Sequence, residues 1–198
     1  MEPAKFKSLE DRALENLKSM LTAREFRGEN FETITKPLDE TTMYEFGGML
    51  VVFSNKTRVS VNDMKAFITY ASDNNYTNGL IVVTDSRPSE SVLGFIREYI
   101  VNPANTLIQL FELRKLQINI TRHRDVPYHR ILPQEEKAAV MKKYNMTKGT
   151  ECPWIDSQDA MAKWIGARPG DMIEVKGLDE ASAKNIHYRY CMANVYDR

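Results

Sequence analysis

The loop of residues 84–89 contains the side chains of this chain that are best suited to bind an anion. Arg87 carries a permanent positive charge, and Ser89 offers a hydroxyl group immediately before a predicted helix. Free N–H groups at a helix N-terminus favour phosphate, and the loop follows a buried strand, where open α/β sheets usually bind ligands. Because the loop contains no glycine, it is not a nucleotide-cradling phosphate loop. Two interpretations remain open: a contact with backbone phosphates, which carries no base-sequence information, or only the start of a helix.

Two of the three histidines, His123 and His129, lie in a charged, proline-containing connector of residues 121–129. A His-x5-His pair could bind a metal or serve as acid and base. However, the spacing fits neither one helical face nor a usual zinc pairing, and no Cys, Asp or Glu completes a ligand set. We therefore predict a structural role, in which both imidazoles form hydrogen bonds with the backbone.

Four acidic residues, Asp156, Asp159, Asp171 and Glu174, lie close together in sequence and resemble a catalytic cluster. Asp156 is instead predicted to cap a helix, because its carboxylate can accept hydrogen bonds from free N–H groups of the first turn. Asp159 adds negative charge near the same helix end, and the other two are predicted to be solvated. The sequence also lacks nucleophile-elbow, phosphate-loop, HExxH and CxxC motifs. We therefore predict no catalytic residue, no metal and no other cofactor.

Residues 152–175 organise the C-terminal part of the chain and are predicted to form a helix, a tight turn and a strand. The apolar helix face has helical spacing and consists of Ala160, Met161, Trp164 and Ile165. Trp164 is therefore predicted to fill the core, whereas Trp154 could pack or stack on a base. Gly166 is predicted to end the helix in a left-handed conformation, and Gly170 to supply a positive φ in the turn.

The first 120 residues alternate between helical and strand-like patterns, which is typical of a mixed α/β sheet with flanking helices. Helices are predicted at residues 8–26, from Ser60 or Asn62 onward, and around 92–99. Strands are predicted at residues 49–53, 80–83, 107–111 and 116–120. Residues 28–46 are polar and contain Pro37, so they are predicted to be irregular.

The C-terminal stretch resembles the small common subunit, the fifth, that is shared by nuclear RNA polymerases and has an archaeal counterpart. That family carries the pattern D-P-V-A-x-Y-x-G-x-x-x-G-x-V-V-x-I. We align with it Asp156, Ala160, Trp164 in place of Tyr, Gly166, Gly170, Ile173 and Val175. Upstream, residues 118–129 match I-N-I-T-x-H-x-x-V-P-x-H, and downstream Ile186, Tyr188 and Arg189 match Y-I-x-Y-R.

The resemblance implies an α+β protein with a jaw-like N-terminal α/β module at 1–120 and a C-terminal polymerase-assembly module at 121–198. It implies a non-catalytic subunit that docks on the largest polymerase subunit, contacts other polymerase subunits and lines the downstream DNA entry. Catalytic magnesium then belongs to the large subunits. The expected docking residues are Ile131, Tyr144, Arg168, Tyr188 and Arg189. The expected structural or junction residues are His123, Pro127, His129, Asp156, Gly166 and Gly170.

The loop that begins at Arg87 resembles the family's T-P-S-A loop, which lies near downstream duplex DNA. Pro88 and Ser89 match that loop, whereas Arg87 replaces Thr and Glu90 replaces Ala. The arginine strengthens a phosphate contact and the glutamate weakens it. The resemblance therefore implies DNA-proximal positions for Arg87, Pro88 and Ser89, through backbone contacts.

Residues 177–185 depart most from the family, which commonly has R-P-S-E-T-A-G-R-Y at this position. Here the loop is G-L-D-E-A-S-A-K-N, which retains Glu180 and has Lys184 in place of Arg. Those family residues help the subunit dock, so the change suggests a divergent, polymerase-specific paralogue. The resemblance implies a nuclear location, and a nucleolar one if the chain serves polymerase I.

The composition limits the classes of function. The 27 basic and 27 acidic residues give a net charge of zero, so any DNA contact must be local. Two cysteines and no apolar run of about 20 residues predict a soluble, intracellular chain with no membrane contact. Two alternatives remain: a stand-alone transcription adaptor that has kept the fold, and a small nuclease or phosphatase acting at the Arg87–Ser89 loop.

Overall fold

The computed structural model describes residues 8–177 and 185–195. Within them the chain contains five α-helices and two mixed β-sheets, which confirms the predicted α+β class. The chain forms two compact units. The first comprises the described residues up to Ile96 together with Ala104–Asn119, and the second comprises Arg97–Pro103 and the described residues from Ile120 onward.

The first unit contains a five-stranded sheet with strand order β1-β2-β3-β4-β5. Its strands are β1 (Glu32–Thr33), β2 (Thr41–Phe46), β3 (Met49–Ser54), β4 (Gly79–Thr84) and β5 (Ile108–Glu112). β1, β2 and β3 are antiparallel, whereas β3, β4 and β5 run parallel. Every residue of β3 and β4 is buried, as expected for parallel strands whose two faces are both covered.

The helices of the first unit are α1 (Leu9–Ala23), α2 (Val61–Asp73) and α3 (Glu90–Val101), the last of which extends into the second unit. Ser8 and Asp11 form a capping box at the start of α1, and Ser60 and Asp63 form another at the start of α2. In each box the serine hydroxyl and the aspartate carboxylate satisfy N–H groups that the first helical turn leaves free. The helix start predicted at Ser8 is confirmed, and of the two starts predicted for the second helix, Ser60 and Asn62, the structure has Ser60.

Two predictions for the first unit are wrong. Residues 28–46 are not entirely irregular, because Thr41–Phe46 pairs along its whole length with β3. Gly47 and Gly48, with φ of 57° and 78°, make the tight turn between the two strands. Residues 116–120 form no strand: Leu116 ends one 3₁₀ turn, Leu113–Leu116, and Ile120 begins another, Ile120–Arg122. The side-chain amide of Gln117 donates to the carbonyl oxygen of Leu113 at 2.9 Å, which favours the turn over an extended strand.

The second unit contains a four-stranded sheet with strand order β6-β8-β9-β7. Its strands are β6 (Tyr128–Ile131), β7 (Trp154–Asp156), β8 (Met172–Lys176) and β9 (Ile186–Met192), and its own helices are α4 (Gln134–Lys143) and α5 (Ala160–Ile165). On one face, Val140 and Met141 of α4 pack against buried Leu132 and Met172. On the other face, Ala162 of α5 packs into a cluster with Ile173, Val175 and Cys191. Alternate residues of each strand therefore face different helices.

The prediction that Asp156 caps α5 is wrong. Asp159 is the cap, and its Oδ1 accepts hydrogen bonds from the N–H groups of Met161 at 2.8 Å and Ala162 at 3.2 Å. Asp156 instead ends β7, which pairs in parallel with β9, and its Oδ1 accepts from the N–H of Gln158 at 2.6 Å. The alignment of the acidic residue with the polymerase pattern therefore moves to Asp159.

The alanine of the pattern also moves, from Ala160 to Ala162. Ala160 is exposed, whereas Ala162 is fully buried in the core. Two other predictions for this stretch are confirmed, because Gly166 ends the helix with φ of 77° and Gly170 has φ of 99°. Trp164 is 5% exposed and fills the core, as predicted.

Candidate functional site

One face of the sheet in the second unit presents aromatic and aliphatic side chains to solvent. Tyr128 and Ile186 lie in one cross-strand row on either side of Lys176, and Tyr188 lies in the next row. Tyr144, which follows α4, places its ring edge-on to that of Tyr188 with 6.0 Å between ring centroids. Tyr128 is 57% exposed, Tyr144 52% and Ile186 39%. We call Tyr128, Tyr144, Ile186 and Tyr188 the tyrosine patch.

An ion-pair network lies beside the tyrosine patch and joins α4 to the sheet. One guanidinium nitrogen of Arg130 lies 2.8 Å from Oε2 of Glu136 and 3.2 Å from Oε1 of Glu174. Lys176 Nζ is 3.4 Å from the same oxygen of Glu174. The hydrogen bonds from Arg130 lower the pKa of the Glu136 carboxyl, and burial together with the charge of Glu174 raises the pKa of Tyr188.

The prediction that Glu174 is solvated is wrong, since this residue is only 7% exposed. Its carboxylate lies on the sheet face where two cations, Arg130 and Lys176, compensate for the loss of water. The network therefore fixes the orientation of α4 relative to β8. This also fixes the position of Tyr144, which follows α4, relative to Tyr188 on the sheet.

The five predicted docking residues do not share one surface. Tyr144 and Tyr188 come together in the tyrosine patch. Ile131 and Arg189 lie on the opposite sheet face, in a row with buried Ile173 between them, and Ile131 packs against the core there. Arg168 lies in the turn after α5, where its backbone N–H donates to Oδ2 of Asp171 at 2.7 Å.

Both histidines of the connector contact backbone atoms. His129 Nδ1 lies 2.8 Å from the carbonyl oxygen of Pro127. His123 Nδ1 accepts from the N–H of Asp125 at 3.2 Å. Among the residues that the structure describes, no three His, Cys, Asp or Glu side chains are grouped so as to hold a metal ion.

A second candidate site is an open depression of about 280 Å³ at the carboxyl ends of β3 and β4. Its lining residues are Arg58, Val59, Thr84, Ser86, Arg87, Pro88 and Ser89. The three predicted DNA-proximal residues therefore lie together, with Arg87 and Ser89 exposed. The carbonyl oxygen of Ser89 accepts from the N–H groups of Val92 and Leu93 at the start of α3.

Arg58 is the charged residue of this depression that the sequence pattern did not identify. It follows β3, as Arg87 follows β4, and the two strands run parallel in register. Parallel pairing of β3 with β4 is the feature that could have identified Arg58, because loops after adjacent parallel strands leave the sheet at the same edge.

The altered segment 177–185 lies mostly outside the described residues, which exclude 178–184. At its ends, the N–H of Gly177 donates to the carbonyl oxygen of Asn185 at 3.1 Å. Of the helices in the described ranges, none combines the length and the apolar character that a membrane crossing requires.

Comparison with known proteins identifies the family. Residues 118–191 match the family described as RNA polymerase Rpb5, C-terminal domain. The chain is 41% identical over 75 residues to DNA-directed RNA polymerase subunit Rpo5 of Pyrococcus abyssi, a match that covers 38% of this chain and 90% of that protein. Because almost the whole archaeal subunit is covered, the chain belongs to the RNA polymerase subunit 5 family.

Longer relatives match with lower identity. The subunit RPABC1 of DNA-directed RNA polymerases I, II, and III from Caenorhabditis briggsae is 28% identical over 144 residues, which cover 71% of this chain and 64% of the relative. Subunit 5A of DNA-directed RNA polymerase V from Arabidopsis thaliana is 24% identical over 139 residues, covering 70% of this chain and 60% of the relative. The chain thus spans somewhat less than two thirds of the length of these two relatives.

Proposed function

We propose that this chain is a non-catalytic structural subunit of a multi-subunit DNA-directed RNA polymerase, and that it acts in transcription. The observation that carries the proposal is the family match over residues 118–191, which includes β6, β7, β8 and all but the last residue of β9. Polymerisation chemistry and its magnesium then belong to other subunits. Residues 1–120 serve as a jaw-like module and residues 121–198 as an assembly module.

The second unit docks on the largest polymerase subunit through the tyrosine patch. Tyrosines that are exposed and yet held in place are well suited to dominate an interface, because they bury a large area at little cost in conformational entropy. Tyr144 and Tyr188 support each other by ring contact, and Arg130 holds the adjoining helix on the sheet. Ile131, Arg168 and Arg189 contribute contacts from outside the patch.

The first unit lies near downstream duplex DNA, and Arg87, Pro88 and Ser89 are its DNA-proximal residues. The exposure of Arg87 and Ser89 at the carboxyl edge of the parallel strands supports this proposal. Contacts of this kind are made to backbone phosphates, so they position the duplex without reading its sequence.

The chain works in the nucleus. The altered loop at residues 177–185 makes it a divergent paralogue that serves one polymerase class, and service to polymerase I would place it in the nucleolus. Purification of the tagged chain tests this part of the proposal, because one recovered class supports a dedicated paralogue and equal recovery of all classes contradicts it.

A pull-down with variants tests the docking surface. Truncation of an interface hot spot costs about 2 kcal/mol or more, so a Tyr144→Ala, Tyr188→Ala double variant is expected to lose most of the co-purified largest subunit. Leu9→Ala provides a matched control, since Leu9 is an exposed apolar side chain of the first unit. Full recovery of the largest subunit by the double variant would refute the patch as the docking surface.

A further inference from the structure

Two arginines from separate loops line the depression at the carboxyl edge of the first sheet. Arg58 belongs to the loop between β3 and α2, and Arg87 belongs to the loop between β4 and α3. The parallel register, in which Ser54 lies opposite Thr84, brings the starts of both loops side by side. Residues that are 29 positions apart in sequence therefore face one concave surface.

The two loops are bonded to each other next to the arginines. The hydroxyl group of Ser86 donates to the carbonyl oxygen of Thr57 at 2.5 Å, and Thr57 and Ser86 directly precede Arg58 and Arg87. The hydroxyl group of Thr84 donates to the carbonyl oxygen of Ser86 at 2.9 Å. These bonds limit the separation between the two arginine backbones, so their side chains can act on one ligand.

The charge of the two guanidinium groups is not neutralised within the depression. Its lining contains both arginines and no carboxylate. Lys56, the neighbouring cation, is engaged by Asp63 at 2.6 Å, whereas no ion pair joins Arg58 or Arg87 to another residue of the described ranges. Arginine matches phosphate oxygens in geometry and stays charged at all physiological pH values.

We propose that Arg58 and Arg87 form a clamp for one backbone phosphate of a nucleic acid, with Ser86 as the residue that positions the two loops. This inference rests on the proposed function and extends it, because it assigns a phosphate contact to a loop outside the family motif. The contact is independent of base sequence, since the depression offers cations and hydroxyl groups but no element that enters a groove.

The test is fluorescence anisotropy of a labelled 20-base-pair duplex titrated with the full-length chain at several salt concentrations. Loss of one phosphate contact reduces the slope of log K against log salt by about 0.9. Because both arginines hold the same phosphate, we expect the Arg58→Ala, Arg87→Ala double variant to show this reduction. Each single variant is expected to bind roughly tenfold more weakly at low salt. Ser86→Ala is expected to weaken binding less, with a slope close to that of the wild-type chain. Arg114→Ala, an exposed arginine of the same unit, is the control and is expected to bind like the wild-type chain.

Several outcomes would overturn the clamp. If Arg87→Ala weakens binding and Arg58→Ala does not, the phosphate contact involves Arg87 alone. A wild-type chain that does not bind the duplex at low salt, or from which inorganic phosphate at millimolar concentration displaces it completely, would also refute a nucleic-acid clamp. None of these results affects the assignment as a polymerase subunit, which is judged separately by whether the chain and its Arg58→Ala variant co-purify with the largest polymerase subunit.

Discussion

Replacement of Arg130 by methionine tests the network beneath the proposed docking surface. Methionine keeps the unbranched stem of the side chain but removes the guanidinium group, which bonds Glu136 at 2.8 Å and Glu174 at 3.2 Å. Glu174 then remains on the sheet face at 7% exposure, with Lys176 Nζ at 3.4 Å as the cation beside it. The variant therefore leaves a buried carboxylate that is only partly compensated.

The size of the effect follows from the burial of Glu174. A buried charged group that loses its hydrogen-bond partner costs about 1–3 kcal/mol or more, and Lys176 retains part of the compensation. We expect Arg130→Met to lower the free energy of unfolding of the second unit by about 1–2 kcal/mol. With an m-value of about 2 kcal/mol per molar urea, the unfolding midpoint falls by roughly 0.5–1 M.

Tryptophan fluorescence during urea unfolding measures this effect in the relevant unit. The chain has two tryptophans, Trp154 and Trp164, and both lie in the second unit. Glu136→Gln is the matched control, because it removes the exposed partner and leaves Arg130 bonded to Glu174, so we expect a much smaller change.

A second substitution separates the charge effect from lost packing. If the cost arises from the unpaired carboxylate, Glu174→Gln in the Arg130→Met background restores much of the midpoint. An Arg130→Met midpoint equal to that of the wild-type chain, or a double variant no more stable than the single one, would refute the reasoning.

Three further predictions concern local packing, helix propensity and pH. A methyl group at Gly149 would overlap the ring of Tyr190, so Gly149→Ala is expected to cost about 1–3 kcal/mol in the same fluorescence assay. Gly94→Ala has nothing within 4 Å of the new methyl group and lies within α3, so its circular dichroism should report a gain of about 0.5–1 kcal/mol. Burial raises the pKa of Asp63, but hydrogen bonds from Lys56 and from the helix cap, with the charge of Lys56, outweigh this and lower it to about 2. The folded state therefore gains stability from this group above about pH 4 and loses it as the pH falls toward 2. Urea unfolding from pH 6 to pH 2 should accordingly show a cost of Asp63→Asn that shrinks over the acidic part of the range.

Each of these predictions has its own contradicting result. A Gly149→Ala chain as stable as the wild type would mean that the Tyr190 ring moves aside freely. A destabilised Gly94→Ala chain would mean that α3 is not an exposed helix at that position. A cost of Asp63→Asn that stays constant between pH 6 and pH 2 would rule out the lowered pKa of its carboxyl.

The elements that the sequence predicted well depend on local signals. Ser8 and Ser60 satisfy helix N–H groups three residues away, and the apolar runs of β3 and β4 need no partner to be recognised as buried strands. Gly166 ends α5 because its own backbone tolerates a positive φ. Such features are determined within a few residues of the chain, where a single sequence is informative.

The elements that it missed depend on distant partners. Asp156 and Asp159 are both suitable caps, and the choice between them is made by the pairing of β7 with β9, some 36 residues further along the chain. The burial of Glu174 depends on Arg130, 44 residues earlier. Arg58 belongs to the site because the parallel register of β3 and β4 places its loop beside that of Arg87. None of these contacts between residues far apart in sequence can be predicted from local spacing.

Affinity purification of the tagged chain from its own cells, followed by mass spectrometry, tests the polymerase-subunit assignment most directly. We expect recovery of a largest RNA polymerase subunit at near-equal stoichiometry, and the identity of that subunit names the polymerase class. Recovery of other transcription proteins without any catalytic polymerase subunit would contradict the assignment and would support a stand-alone adaptor instead.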